Sequence, residues 1–179
     1  MSSDAQSLAE RAKRLVRWAQ ERKLTLATAE SCTAGALAGL LADAPGASGV
    51  LHGGVVTYTK ESKAIALGVP QKLIADHTAV SPQVARAMAQ GVLRHLPADI
   101  AISVTGVLGP QPDEDGNPVG LVYIGMAKRD GFSQVHEAWF DNQSTDAILA
   151  EVLETALLLL EEGLVRATSA AGAYESKAA

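Results

Sequence analysis

The sequence predicts a single-domain α/β fold, a three-layer α/β/α sandwich around a mixed, mainly parallel sheet. Three observations predict it. Helical and strand-like patterns alternate along most of the 179 residues, which is the order that parallel strands joined by helices require. The short apolar run 100–104 reads as a central strand covered on both faces. Late in the chain, two strand-like segments flank Asp130-Gly131, a strong hairpin signal that makes that part of the sheet antiparallel.

The elements follow in order. Residues 5–22 form an amphipathic helix in which Leu8, Leu15, Val16 and Trp18 alternate with a basic series from Arg11 to Lys23. A strand is expected over 24–29, a helix over 32–42 and a loop at Pro45-Gly46. Val55, Val56, Thr57, Tyr58 and Thr59 carry a second strand over 53–59. Helical turns are expected over 62–66 and 71–76. Ser81-Pro82 opens a helix that ends near Leu96, with Ser as the cap and Pro in the first turn. The strand over 100–104, the hairpin over 121–128 and 133–140 and a helix over 147–162 complete the domain, which is expected to span 5–165. The tail, small and polar, is expected to be disordered over 166–179.

Composition narrows the function. Apolar residues make up 47% and aromatics 4%, so the core is built from Ala, Leu and Val. No apolar run reaches the roughly 18 residues of a membrane span, and no membrane role is expected. The segment Met1-Ser2-Ser3-Asp4 lacks the basic and apolar regions of a signal peptide. A single cysteine, Cys32, excludes an internal disulfide framework, so a cytoplasmic location is expected. The net charge of -5 argues against nucleic-acid binding; the basic series on the first helix reads as a solvated face. Histidines 52, 77, 95 and 136 show no ligand-like spacing, and no metal or other cofactor is expected. Asp113 to Asn117 has the composition of a calcium loop, but Pro118 stands where that loop needs glycine.

The most informative stretch is Thr28-Ala29-Glu30-Ser31-Cys32-Thr33-Ala34-Gly35, between an apolar strand and an Ala-rich helix. Unpaired N–H groups at a helix start favour an anion. A serine there either attacks a carbonyl whose oxyanion those groups hold, or simply caps the helix. A second segment, Gly53-Gly54-Val55-Val56-Thr57-Tyr58-Thr59-Lys60-Glu61-Ser62-Lys63, places Tyr58 and Lys63 at another strand's exit. Parallel strands bring such exits to one edge of the sheet, where sites form. Lys63 can serve as the base for a serine if burial lowers its pKa by several units from about 10.4; otherwise it is a solvated surface lysine, as Lys60 reads. Cys32 is the stronger nucleophile in principle, but it has no neighbouring histidine. Gly106 and Gly109 form a Gly-x-x-Gly turn that lets backbone approach a ligand.

These residues resemble the CinA C-terminal domain family, also described as the nicotinamide mononucleotide deamidase (PncC-type) family. The resemblance rests on Ala29-Glu30-Ser31-Cys32-Thr33, on Val56-Thr57-Tyr58 with Lys63, and on Leu67-Gly68-Val69. It continues through Ala79-Val80-Ser81, Val104-Thr105-Gly106 with Gly109-Pro110, and Pro118-Val119-Gly120. It implies an amidohydrolase of the pyridine nucleotide cycle that converts nicotinamide mononucleotide to nicotinate mononucleotide and ammonia. It further implies a catalytic Ser31–Lys63 pair with Tyr58 beside it. Substrate is expected to be bound by Glu30, Cys32, Thr33, Thr105, Gly106 and Gly109, with Glu30 also read as a structural cap. The resemblance favours Ser31 over Cys32 as the nucleophile. The expected partner is a small nucleotide or amide, and the expected assembly a homodimer or other homo-oligomer.

The chain departs from the family pattern where a phosphate would be held. Members usually carry a second glycine where this chain has Ala34. Their glycine-rich loop ending in Lys-Pro-Val-Gly is replaced by Gln111-Pro112-Asp113-Glu114-Asp115-Gly116-Asn117-Pro118, which has lost a lysine and gained three carboxylates. Two arginine positions after the last strand align with Thr145 and Leu149. A lost arginine removes a charge-assisted hydrogen bond to phosphate of roughly 1.5–3 kcal/mol. Two alternatives therefore stand beside the deamidase: an amidase for a non-phosphorylated amide, and a catalytically weak or inactive binding or regulatory protein linked to competence.

Overall fold

A computed structural model of the chain describes residues 3–140 and 144–175. Its elements are α1 (Ser3–Glu21), β1 (Leu26–Glu30), α2 (Ala36–Ala42), β2 (Leu51–Val56), α3 (Lys60–Leu67) and α4 (Gln71–His77), then α5 (Pro82–His95), β3 (Ile100–Gly106), β4 (Leu121–Lys128), β5 (Ser133–Trp139) and α6 (Thr145–Glu175). The five strands form one sheet in the order β2-β1-β3-β4-β5. β1 runs parallel to both β2 and β3, while β4 is antiparallel to β3 and to β5. Every strand but β4 therefore points the same way, which is the mixed, mainly parallel sheet that the sequence predicts.

The two faces of the sheet differ in side-chain size, and this sets the layers. Ile100, Ile102 and Val104 alternate on β3 with Ala101, Ser103 and Thr105. The large residues join Leu26, Val122, Ile124 and Met126 in a core with α1, α2 and α6. The small ones, with Ala27, Ala29 and Ala127, face the layer of α3, α4 and α5. α5 lies close against this face: Ser103 Oγ donates to Ala85 O at 2.6 Å, and a Cβ on Gly125 would stand 2.7 Å from that same oxygen.

Four boundaries differ from expectation for identifiable reasons. β1 begins at Leu26, since Leu24 N–H still bonds back to Ala19 O at the end of α1. β2 ends at Val56 rather than Thr59, because Thr59 is the N-cap of α3, in a reciprocal capping box with Ser62. α2 begins at Ala36 rather than Cys32, because Ala34 (φ 50°) and Gly35 (φ 96°) are left-handed and cannot belong to a right-handed helix. α6 runs from Thr145 to Glu175, so the stretch expected to be disordered is helical that far; its alanines favour helix. Residues 176–179 lie outside the described residues, as do 141–143 between β5 and α6. Among the described residues, no helix is long and apolar enough to cross a membrane.

Candidate active site

β1 lies between β2 and β3, so the ends of all three open on one edge of the sheet. Ser31 follows β1 directly and is pinned between its neighbours: its N–H donates to Val104 O at 2.9 Å, and Thr57 N–H donates to Glu30 O at 2.7 Å. Strand alternation puts Ser31 on the side of Ala27 and Ala29, toward the layer that contains α3.

Lys63 comes from that layer. It lies one turn before Leu67 on the inward face of α3, and both are buried. The start of α3 is fixed by Thr59, and its end by Gly68 in the left-handed conformation. Lys63 is 1% exposed. Its Nζ donates to Ser31 Oγ at 2.8 Å and to Thr57 O at 2.8 Å. Among the described residues, no carboxylate bonds to this amine, and burial holds its pKa down at about 8. Cys32 goes the other way, its thiol pushed up to about 12 by burial. It stays protonated at neutral pH and is no competitor of Ser31 as a nucleophile.

Glu30 and Thr33 take a different place from the one expected. Glu30 is fully buried under α2, and its carboxylate accepts five hydrogen bonds, from Thr28 Oγ1, Thr33 Oγ1 and the N–H groups of Gly35, Leu37 and Ala38, at 2.7–3.1 Å. The donors at the helix start are thus filled by the protein's own carboxylate rather than by a ligand. Glu30 and Thr33 hold the turn that carries Ser31, in line with the capping role also read for Glu30; neither lines the cleft. The N–H groups of Cys32 and Thr33, by contrast, lie by the Cys32 sulfur.

The cleft above the pair has a volume of about 550 Å³. Ser31, Cys32, Tyr58, Lys63, Thr105, Gly106 and Gly109 all line it. Tyr58 is 72% exposed on its wall. Thr105 is buried, with Oγ1 donating to Ala79 O at 2.9 Å. Gly106 answers a packing need, since a Cβ there would press on Leu121 O at the start of β4 at 2.7 Å. Thr145 also lines the cleft, while Leu149 packs against the core.

Lys60 has partners that the sequence reading lacks. It stays at the surface, as the sequence reads, but it is not free: its Nζ contacts Asp115 at 2.7 Å and Glu114 at 2.8 Å across the cleft mouth. Those two bonds raise its pKa. Asp113 organises the same loop, accepting from the N–H groups of Asp115 and Asn117 and from Asn117 Nδ2. The separation of 55 residues between Lys60 and Asp115 hides this pairing from the sequence. Thr57 was missed for another reason: its contribution is a backbone oxygen, which no side-chain pattern signals. Among the described residues, no group of three or more His, Cys, Asp or Glu is placed to hold a metal ion.

Residues 8–164 match the profile of the CinA C-terminal domain. The chain belongs to the CinA C-terminal domain family. Its sequence is 44% identical over 148 residues to a CinA-like protein of Geobacter sulfurreducens, covering 83% of this chain and 35% of that one. It is 53% identical over 111 residues to a CinA-like protein of Frankia casuarinae, covering 62% and 25%. The chain thus spans about a quarter to a third of the length of these CinA-like relatives. Among solved structures it is similar to the competence/damage inducible protein CihA from Agrobacterium tumefaciens, with TM-score 0.84 and 35% identity over 90% of this chain and 96% of that one. The competence damage-inducible protein A from Klebsiella pneumoniae is similar to the same degree, with TM-score 0.84 and 34% identity over 88% and 97%. The three-layer architecture is therefore the architecture of the CinA superfamily.

Proposed function

We propose that this chain is a Ser–Lys amidohydrolase acting on the carboxamide of a nicotinamide nucleotide, with nicotinamide mononucleotide as the reference substrate. The observation that carries this reading is the buried Lys63 Nζ at 2.8 Å from Ser31 Oγ, without a carboxylate partner among the described residues, at the floor of an open cleft.

The chemistry follows from the geometry. Neutral Lys63 keeps one N–H on Thr57 O and turns its lone pair to the Ser31 hydroxyl. It takes that proton as Oγ attacks the carboxamide carbon. The N–H of Cys32, which follows Ser31 and lines the cleft, holds the oxyanion. The tetrahedral adduct collapses when the Lys63 ammonium returns its proton to the departing nitrogen, which leaves as ammonia; Tyr58 on the cleft wall assists that transfer. Lys63, neutral again, deprotonates a water that cleaves the acyl-enzyme, and the proton returns to Ser31. The net reaction is carboxamide plus water to carboxylate plus ammonium. It takes place in the cytoplasm and needs no cofactor.

The test is ammonia release from nicotinamide mononucleotide by the wild type, Ser31→Ala and Lys63→Ala. Each substitution is expected to lower kcat by about three orders of magnitude or more, and the two losses are not additive because the residues act as a unit. Turnover undiminished in Ser31→Ala removes the nucleophile assignment. A second reading, a non-catalytic binding protein linked to competence, is favoured by the three carboxylates at the cleft mouth; wild type and both variants equally inert toward amides would select it.

A further inference from the structure

The charges around the cleft bear on what enters it. Five charged side chains line it, namely Lys60, Lys63, Asp113, Glu114 and Asp115, and no arginine or histidine does so among the described residues. The two cations are already engaged. Lys63 is buried against Ser31 and Thr57, and Lys60 is spent on Glu114 and Asp115. Among the described residues, Asp113 is balanced by no cation: the donors to its carboxylate are two backbone N–H groups and the Asn117 amide. At the mouth, one lysine therefore stands against three carboxylates, and the field is negative.

One feature opposes this. The N-terminus of α6 reaches the cleft at Thr145, and a helix start favours anions. That start is partly filled: Ser144 Oγ accepts from Ala147 N–H at 3.3 Å, and Asp146 adds a carboxylate to the first turn. Among the described residues, neither wall presents a free cationic side chain to match a phosphate.

We propose that the cleft selects its carboxamide by charge, and that its preferred substrate is a cationic or neutral amide without a phosphate group. This rests on the hydrolase reading and moves its preferred substrate from the nucleotide to an amide without the phosphate. The reaction stays balanced as before: the amide C–N bond breaks, a C–O bond to water forms, and the nitrogen leaves as ammonia. A pyridinium amide suits the site because its ring carries the positive charge that the carboxylates attract. A phosphate two bonds beyond the sugar ring would put a dianion against them.

Nicotinamide riboside and nicotinamide mononucleotide differ only in that phosphate, so they isolate the effect. Binding of both to the Ser31→Ala protein is measured by calorimetry at low and high salt, and ammonia release by the wild type is measured beside it. The riboside is expected to bind about tenfold more tightly at low salt, the size that a like-charge juxtaposition readily produces. Added salt is expected to weaken the riboside and strengthen the mononucleotide, because screening removes attraction and repulsion alike. Glu114→Gln with Asp115→Asn is expected to narrow the gap several-fold, since it removes two anions and frees Lys60. Lys60→Gln is expected to widen it. Opposite signs in two variants of the same exposed rim do not arise from misfolding. A mononucleotide bound as tightly as the riboside, a gap indifferent to salt and to both variants, or binding of neither ligand overturns the proposal. The hydrolase reading fails separately, if the wild type releases no more ammonia than Ser31→Ala whichever ligand binds better.

Discussion

At the scale of residues, the turn that carries Ser31 is strained. Ala34 sits at φ 50°, a conformation that costs an L-residue about 1–2 kcal/mol and glycine almost nothing. It is exposed and its methyl fills no core space, so the cost has no packing return. Ala34→Gly is therefore expected to stabilise the protein by about 1 kcal/mol, or roughly 2–4 °C in Tm for a domain of this size, with the Ser31–Lys63 pair unmoved. A calorimetric scan checks it; a lowered Tm would mean that the glycine's freedom in the unfolded chain outweighs the strain. The family pattern made this position visible in the sequence, because glycine is usual there. Ser31, Lys63 and Tyr58 were brought to one edge of the sheet by a different signal: each stands at a strand exit whose direction the alternation of elements sets. The fate of Glu30 was only half legible. A carboxylate before a helix reads as a cap, but that it gathers three backbone N–H groups, and so removes them from any oxyanion, depends on the left-handed Ala34-Gly35 turn that delays α2.

At the scale of elements, the position of α3 decides whether Lys63 reaches Ser31, and α5 sets that position. Gly91 of α5 lies directly under α3: a Cβ there would collide with Leu67 O and stand 3.0 Å from Leu67 Cβ. Backbone is the obstacle, so no side-chain rotation relieves it. Gly91→Ala is expected to destabilise the fold by about 2–3 kcal/mol, the range of overpacked cores. It is also expected to lower kcat about tenfold or more, since α3 moves away with the amine. Urea unfolding and turnover of the folded variant test the two parts separately; unchanged kcat in a folded Gly91→Ala protein would show that α3 does not set the pair. From the sequence, Gly91 is a mild defect in a good helix, and the close approach that requires it joins segments 24 residues apart. Periodicity found the helices and strands. It could not place the ends of β2, α2 and α6, because a capping threonine, two left-handed residues and an Ala-rich extension each decide an end by local chemistry.

At the scale of the whole molecule, the site ties stability to pH. Lys63 titrates at about 8 in the folded protein and near the ordinary lysine value of about 10.4 in the unfolded chain. Below 8 both states hold the proton, and the fold bears the full burden of a buried ammonium. Between 8 and 10.4 the folded protein has released its proton while the unfolded chain keeps it. The unfolded state then binds more protons, so stability rises with pH across this window and levels off above it. The rise is on the order of 3 kcal/mol for a shift of this size, a substantial share of the 5–15 kcal/mol that holds a typical domain together. Other lysines and tyrosines titrate nearby, so the comparison is with Lys63→Met, which has no proton to lose. The wild-type urea midpoint is expected to climb relative to that variant between pH 8 and 10, and parallel curves would refute the buried, depressed amine. The same ionisation frees the base, so kcat/KM is expected to rise through about pH 8 as well. Stability and activity then increase together, because the charge that burdens the fold is the one that blocks the chemistry.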